Sequence, residues 1–457
     1  MRHMKNLIYL GLRNCNSLSC MPEGMGQLTC LQSLSIFIVG KENGYQLSEL
    51  KGLHLRNDLS IKELDNVRNS EEAKDANLIG KQNLHSLSLV WQNKSQCTVP
   101  EQVEDVLDGL QPHSNLKVLH IQNYLGSKFP TWMQDLLLHD LVEISLIACK
   151  RCEHLPPLGK LPFLKDLGIS GMDSVKYLGN ELHGDGAISF PSLETLKLSM
   201  ANLEEWRTMD GRENFPRLST LNIYDGPKLV ELPIIPSITS LIIYTNSAML
   251  IKSLMNLTSL SSLQIGGMHE STLLPDGLFR NLTAMKRFTL DYCEGLESLP
   301  GLQYLHSLRE LDIRSCTNIL SFPINGLRGL SSLQTLSIQN CHKFCSLSEG
   351  IQYLTSLEDL YIGGCPELVS LPKQIGCLTS LSSLGIYDCN NLMSIPDELQ
   401  NLTALKTLRI GRCPHLQRRC KRDSGEDWHK IARIPNILIG KSRNRCKALQ
   451  KLKFWST

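Results

Sequence analysis

One string recurs along this chain, and its fixed spacing leaves few folds open. It is clearest in Leu308-Arg-Glu-Leu311-Asp-Ile313-Arg-Ser-Cys316-Thr-Asn-Ile319, in Leu333-Gln-Thr-Leu336-Ser-Ile338-Gln-Asn-Cys341-His-Lys-Phe344 and in Leu357-Glu-Asp-Leu360-Tyr-Ile362-Gly-Gly-Cys365-Pro-Glu-Leu368. Copies starting at 285, 308, 333, 357, 381 and 405 are separated by 23, 25, 24, 24 and 24 residues. Weaker copies start at Leu7, Leu31, Leu84, Leu116, Leu141, Leu164, Leu193, Leu218, Ile238 and Leu260, with one more around 55–67. In each unit the residues at positions 1, 4 and 6 are apolar around a short strand. No unit can bury that face alone, so neighbours must stack and their strands must pair in parallel.

A period inside 20–29 residues with this pattern is that of a leucine-rich repeat. The expected fold is therefore α/β: a curved leucine-rich-repeat solenoid over residues 1–420, with a parallel sheet on the concave face and irregular or short helical returns on the convex face. Returns such as Leu371-Pro372 and Ile395-Pro396 suit a single helical turn. Regularity breaks at 37–83, 91–115 and 170–192. In the first of these, Ser70-Glu-Glu-Ala-Lys-Asp-Ala-Asn-Leu78 predicts a short helix with Ser70 as N-cap. From Lys421 the repeat is lost, which predicts a basic capping segment and tail over 421–457, with Trp428, Ile431 and Ile434 laid on the last repeat.

Charge narrows the function classes. Overall there are 47 Lys+Arg against 45 Asp+Glu, which argues against a globally basic nucleic-acid binder. The balance is uneven, however: residues 411–457 hold 13 basic and 3 acidic side chains, leaving 34 and 42 for the rest. A solvated or intramolecular role for this tail is favoured over nucleic acid. No long apolar run suggests a membrane span, and Met1-Arg2-His3-Met4-Lys5 begins patterned sequence without a signal peptide, so a cytoplasmic or nucleo-cytoplasmic location is expected. Half of the 16 cysteines fall at the ninth repeat position, which predicts reduced thiols packed inside at Cys316, Cys341, Cys365, Cys389 and Cys413. Cys149 and Cys152 form a single CxxC with no second pair at metal spacing, so a buried structural role is preferred to zinc.

Several strings go beyond a generic repeat. They include Phe37-Ile-Val-Gly40 with Leu47-Ser-Glu-Leu50, Leu59-Ser-Ile61-Lys-Glu-Leu64-Asp-Asn-Val67 and Leu87-Ser-Leu89-Val-Trp91. Further along come Cys149-Lys-Arg-Cys152-Glu-His-Leu155-Pro-Pro-Leu-Gly-Lys-Leu-Pro162, Ile169-Ser-Gly-Met172, Phe190-Pro-Ser-Leu193, Leu203-Glu-Glu-Trp206 and Gly425-Glu-Asp-Trp428-His-Lys-Ile-Ala432-Arg-Ile-Pro435. Together and in this order they resemble the leucine-rich-repeat region of plant intracellular coiled-coil, nucleotide-binding disease-resistance proteins. The resemblance implies the sensor and autoinhibitory half of an immune receptor. Its implied partners are a pathogen effector or a guarded host protein, and the nucleotide-binding domain of the same receptor. That domain's GxxxxGK[ST] phosphate loop is not found here: at Gly440-Lys441-Ser442 the first glycine of the motif would fall on Pro435. No cofactor is therefore expected in this chain, and a fragment, truncated product or partial gene is expected. The alternative is a free-standing repeat adaptor, such as a ubiquitin-ligase substrate receptor.

No catalytic constellation is apparent, and the chain is not expected to be an enzyme. Of the sequons at Asn93, Asn256, Asn281 and Asn401, the last three are the Asn-Leu-Thr of the return segment, and without a signal peptide none is expected to carry sugar. Function should lie on strand positions 2, 3, 5, 7 and 8, which face away from the leucines. Large residues there are Tyr224, Tyr244, Tyr292, Tyr361 and Tyr387, with Arg314, Arg409, Asp291, Asp312 and Asp388, and aromatic and arginine side chains favour protein contact. In this register Leu311→Asp should be costly, and Asp312→Ala nearly neutral.

Overall fold

The computed structural model describes residues 4–12, 15, 17–92, 100–208 and 211–440, which fall into two compact units divided between Leu257 and Thr258. The regular period lies in the second unit. Eight parallel strands follow one another there: Ser262–Gly266, Arg287–Asp291, Glu310–Arg314, Thr335–Gln339, Asp359–Gly363, Ser383–Tyr387, Thr407–Gly411 and Asn436–Ile439. Leu311, Leu336, Leu360, Leu384 and Leu408 form one row in register, and Ile313, Ile338, Ile362, Ile386 and Ile410 form the next. No side chain in either row is more than 1% exposed. Side chains alternate along a strand, so a two-residue spacing puts both rows on the inner face. Burial of each Leu or Ile contributes about 2 kcal/mol, as an upper-range figure.

The residue after each strand takes a left-handed backbone. Tyr292, Ser315, Asn340, Gly364, Asp388 and Arg412 have φ of 51°, 52°, 55°, 66°, 52° and 53°. The turn aims the backbone N–H at the next repeat: Tyr292 donates to Arg314 O (3.0 Å), Ser315 to Gln339 O (2.8 Å) and Asn340 to Gly363 O (2.8 Å). Only one of these six residues is glycine. Tyr292, Ser315, Asn340 and Asp388 tolerate a strained conformation because each gains a backbone hydrogen bond to the next repeat. The returns are 3-10 turns, as at Lys373–Cys377 after Pro372 and at Asp397–Asn401 after Pro396. Proline suits that place, where an N–H would have no partner.

The first unit carries nine ladder strands: Ile36–Ile38, Asn57–Lys62, Leu84–Val90, Val118–Gln122, Glu143–Ile147, Asp166–Ser170, Thr195–Ser199, Thr220–Tyr224 and Ser240–Tyr244. Asn57–Lys62 is the additional repeat placed around 55–67. Tyr9–Leu10, from the first repeat, pairs instead with Ser33–Leu34 in a ladder of its own. The irregular stretches hold real elements. Helix Ser70–Lys74 forms as expected, but its N-cap is Asn69, whose side chain accepts from the Glu72 N–H at 3.0 Å. Asn69 takes the extended backbone an N-cap needs, and Ser70 is already inside the helix. A second helix, Pro100–Gly109, lies on it. A Cβ at Gly109 would sit 2.6 Å from Ser70 O, so only glycine allows that approach. The buried ammonium of Lys81 closes the end of the Leu47–Leu50 turn by donating to Leu50 O and Leu53 O, each at 2.8 Å, and burial pulls its pKa down to about 8.

Around 170–192 the extra length forms helix Asn180–His183 and two small side ladders, Tyr177–Leu178 with Glu205–Trp206 and Ile188–Ser189 with Glu213–Asn214. Rings hold them in place. Phe190 stacks on Phe215 at 4.8 Å and 12°, with His183 and Trp206 edge-on to Phe215 at 5.3 and 5.9 Å.

The segment from Lys421 is more than a cap. After helix Trp428–Ile431 the chain adds the strand Asn436–Ile439, parallel to Thr407–Gly411. The repeat pattern fades there, yet backbone pairing continues, so the sheet passes the expected limit at residue 420. Ile431 and Ile434 are buried as expected of a capping segment, and Trp428 is half-buried. Residues 441–457, which carry much of the basic tail, lie outside the described residues, as does the sequon at Asn93. Among the described residues no helix is long and apolar enough to cross a membrane.

Candidate protein-recognition surface

Strand positions 5 and 7 project from the sheet opposite the buried leucines, and in the second unit they form a graded surface. At one end Asp291, Arg314 and Gln339 are register neighbours. The Arg314 guanidinium donates to Asp312 Oδ2 through Nε at 2.8 Å and through its terminal nitrogen, and Gln339 Nε2 donates to Ser337 Oγ at 2.8 Å. Asp312 Oδ1 is buried and lacks a hydrogen-bond partner among the described residues. This geometry overturns the expectation that Asp312→Ala is nearly neutral. Arg314 and Asp312 are both more than four-fifths buried, and removing the carboxylate takes a charge-assisted bond from a poorly solvated guanidinium.

At the other end, Tyr361, Gly385, Arg409 and Leu438 are register neighbours at position 5, and Gly363, Tyr387 and Gly411 at position 7. Tyr361 and Tyr387 stack at 5.5 Å and 27°. They lie flat because the floor is glycine. A Cβ at Gly385 would meet Tyr361 at 3.1 Å, one at Gly411 would meet Tyr387 at 2.7 Å, and one at Gly363 would meet Tyr361 Oη at 3.0 Å. Tyr387 is 9% exposed and props the half-exposed Tyr361. Arg409 and Leu438 stand exposed beside them.

The structure separates the other sequence candidates. Tyr292 and Asp388 occupy the left-handed turn after the strand, not the strand face. Tyr292 is 55% exposed there, and Asp388 accepts from Arg412, the equivalent residue one repeat on, at 2.6 Å. Tyr224 and Tyr244 belong to the first unit, where their rings approach at 5.8 Å and 31°, and burial raises the Tyr224 phenol. Near them, at position 5, Asn222 Oδ1 is buried without a hydrogen-bond partner among the described residues. Elsewhere in this unit Glu153, His154, Tyr177 and Glu181 line a groove of about 710 Å³.

Cys316, Cys341, Cys365, Cys389 and Cys413 are all buried free thiols. Each donates to the carbonyl two residues before it, as Cys341 Sγ does to Gln339 O at 3.4 Å, and Cys341 also reaches Ile313 O of the preceding repeat at 4.0 Å. Burial pushes the Cys341 thiol up to about 11 and that of Cys149 up to about 12. Such thiols are poor nucleophiles. Cys149 and Cys152 donate to carbonyls, Cys152 to Gly126 O at 3.2 Å. The described residues hold no group of three or more His, Cys, Asp or Glu arranged for a metal ion. His183 and Ser189 make a 2.7 Å contact that resembles a base and nucleophile, but they are 1% and 2% exposed, walled by Phe190 and Phe215. That pair fastens an insertion and does not face a substrate.

Sequence reasoning missed two features. The glycines under the tyrosines were one; their signal was that Gly363, Gly385 and Gly411, at positions 5 and 7, each pair in register with Tyr361 or Tyr387. The other is the role of Gly425-Glu-Asp-Trp428. Asp427 is 1% exposed and accepts from Arg419 Nε (2.8 Å), Lys430 Nζ (3.0 Å) and the Ile395 N–H (3.2 Å). Lys430 also reaches Ile395 O at 2.7 Å and Asp397 at 2.8 Å. Burial alone would raise the Asp427 carboxyl, but these donors outweigh it and hold it at about 2. Two of the basic residues counted in the tail thus work inside the fold.

Comparison with known proteins agrees with this architecture. A family model described as R13L1/DRL21 LRRs matches residues 47–172, and one described as a leucine-rich repeat region matches 289–456. The putative disease resistance protein RGA1 of Solanum bulbocastanum is 38% identical over 286 residues, covering 62% of this chain and 28% of that protein. The putative disease resistance RPP13-like protein 1 of Arabidopsis thaliana is 32% identical, covering 67% and 29%. The chain thus spans under a third of the length of these relatives. Two solved structures share the fold: that of the TLR13–ssRNA13 complex (TM-score 0.54, 19% identity, 84% of this chain and 58% of that one) and the Leptospira interrogans protein LIC12759 (TM-score 0.51, 21% identity, 90% and 91%).

Proposed function

The chain is a leucine-rich-repeat region of the plant disease-resistance type, and we propose that it is the protein-recognition and autoinhibitory part of such a receptor, acting in defence against pathogens. Its partners would be an effector or a guarded host protein, together with the receptor's own nucleotide-binding domain, and it would work in the cytoplasm without catalysis. The observation that carries this reading is the outer sheet face of the second unit, where a glycine-floored tyrosine pair adjoins an exposed arginine. Aromatic and arginine side chains on a rigid backbone are what protein interfaces use as anchors. Similarity to disease-resistance proteins supports the defence setting. Nucleotide would be held elsewhere in the receptor, so titration of this chain with ATP or ADP should give no one-to-one binding at micromolar concentration.

The test is a leaf cell-death assay on a full-length receptor carrying this region. Tyr361→Ala should abolish the response to the effector at unchanged protein level, since losing a central anchor costs about 2 kcal/mol, roughly thirtyfold in affinity. Changes before residue 120 should instead release autoactivity. A normal response from the Tyr361 variant overturns the choice of surface.

A further inference from the structure

We infer that the end of the second unit's sheet face takes an acidic segment of a protein partner, with a carboxylate on Arg409 and the adjoining chain laid over Tyr361 and against Leu438. The inference rests on the sheet face being the recognition surface and names the chemistry that surface selects.

Charge carries the argument. Arg314 has Asp312, Arg412 has Asp388, and Arg419 has Asp427 and Glu426. Arg409, by contrast, has no carboxylate within ion-pair distance among the described residues, although it is exposed at the centre of its strand. Its register neighbours are Gly385 and Leu438, and the position-7 residues beside it are Tyr387 and Gly411, so nothing on that floor neutralises it. A guanidinium presents five donors in a planar fork, and a carboxylate matches that fork with two parallel bonds.

The shape fits a chain rather than a small anion. Gly385 and Gly411 are roofed by the Tyr361 and Tyr387 rings, so a partner segment would lie on the half-exposed Tyr361 ring beside the arginine and not on the bare sheet. Leu438 is 53% exposed on the far side of Arg409 and offers apolar contact there. The rim argues against a polyanion such as nucleic acid: Glu358 and Asp359, at the start of the Tyr361 strand, are both exposed. Evenly spaced phosphates would meet these carboxylates roughly 12–14 Å from Arg409, two strands across and two to three residues back along the strand. A peptide can place one acidic residue at Arg409 and a neutral or basic one there.

The test is selection of short random peptides displayed on phage against the whole chain, with binding of the selected peptides then measured on wild type, Arg409→Glu and Tyr361→Ala. Arg409 is exposed, so its variant should melt as wild type does. We expect selected peptides to be enriched in Asp or Glu beside small or apolar residues and to lose about tenfold in affinity on Arg409→Glu. Exchanging the acidic residue of the peptide for Lys should restore binding to Arg409→Glu. Peptides without acidic enrichment, or peptides that bind Arg409→Glu as well as wild type, overturn the inference. If such peptides still lose binding to Tyr361→Ala, only the carboxylate assignment falls and the sheet face survives. Peptides that ignore both variants, or a selection that yields none, count against the inference and the sheet-face reading together.

Discussion

The two units solve the same stacking problem with different side chains. In the second unit the ninth position of the repeat is Met268 in the first copy and then Cys293, Cys316, Cys341, Cys365, Cys389 and Cys413, all buried, and the period stays within 23 to 25 residues. A thiol is small enough to fit the turn and still donate to a carbonyl, so identical units can follow one another. The first unit places Tyr124, Cys149 and Met172 at that position. There Tyr124 packs edge-on to Trp91 at 5.2 Å and donates to Lys128 O at 2.6 Å, fixing an irregular return. Extra length is tolerated where large rings can pin it, and from Cys293 onward the constant period goes with a small thiol in each turn.

The largest expected effect tests the regular unit. Leu311 is fully buried between register neighbours Phe288 and Leu336. Leu311→Asp would put an unpaired carboxylate among them, at about 4 kcal/mol or more. Phe215→Ala in the first unit should cost about 3 kcal/mol by opening a cavity against Phe190, His183 and Trp206. Denaturant melts followed by circular dichroism would measure both. If Phe215→Ala is silent, the rings do not pin the insertion and the contrast between the units fails.

Next comes the joint between the last repeats and the cap. Asp427→Asn removes the charge that Arg419 and Lys430 face while keeping the shape, and should cost about 3 kcal/mol. The pH dependence follows from its sign. A carboxyl held below its usual range stabilises the fold above about pH 4 and loses that contribution as pH falls toward its folded value of about 2. Acid titration of stability should therefore be shallower between pH 4 and 2 in Asp427→Asn than in wild type. Equal slopes would show that the carboxyl is not held down by those donors.

This joint also shows how far the sequence could be read. Inward Leu and Ile, buried Cys and the 3-10 returns all follow from the repeat, because one side chain per position decides them. The ion hub joins Ile395 and Asp397 to Arg419, Asp427 and Lys430, residues brought together only once the cap has folded back, and no local pattern announces that. Asn69 was missed as N-cap because Ser70, beside it, satisfies the same preference. The left-handed turn was missed because Tyr, Ser, Asn, Asp and Arg all occupy it, the first four held by a backbone bond to the next repeat. Of the candidate contact residues, the strand positions of Tyr361, Tyr387 and Arg409 were legible from spacing. The turn placement of Tyr292 was not.

A smaller effect belongs to the first unit. His183 is buried, with Nε2 3.1 Å from Arg207 O and Nδ1 facing Ser189 Oγ, and burial lowers its pKa from the usual 6.5. The unfolded chain therefore takes up a proton that the fold resists. Stability should be complete above about pH 6.5 and decline as pH falls below it, by at most about 1.4 kcal/mol per pH unit. Hydrogen exchange between pH 7 and 5 should show loosening around 180–215 while the repeats from 308 to 413 keep their protection. Uniform loosening of both would remove the distinction between pinned and regular repeats.

The smallest effect concerns the thiols themselves. Cys341 and Cys345 lie four residues apart in one repeat, the first buried and the second exposed. At pH 8 a thiol raised to about 11 is ionised only to about one part in a thousand, and its burial blocks a reagent as well. Labelling of the native chain should therefore modify Cys345 quickly, along with the exposed Cys377, and spare Cys341, Cys365, Cys389 and Cys413 until denaturant is added. Cys341→Ser should cost under about 1 kcal/mol, since a hydroxyl can keep the bond to Gln339 O. Cys341→Leu should cost more, because the turn has no space for two further methyl groups. If Leu is accepted as readily as Ser, the ninth position does not demand a small donor, and some other feature must keep the second unit's period constant.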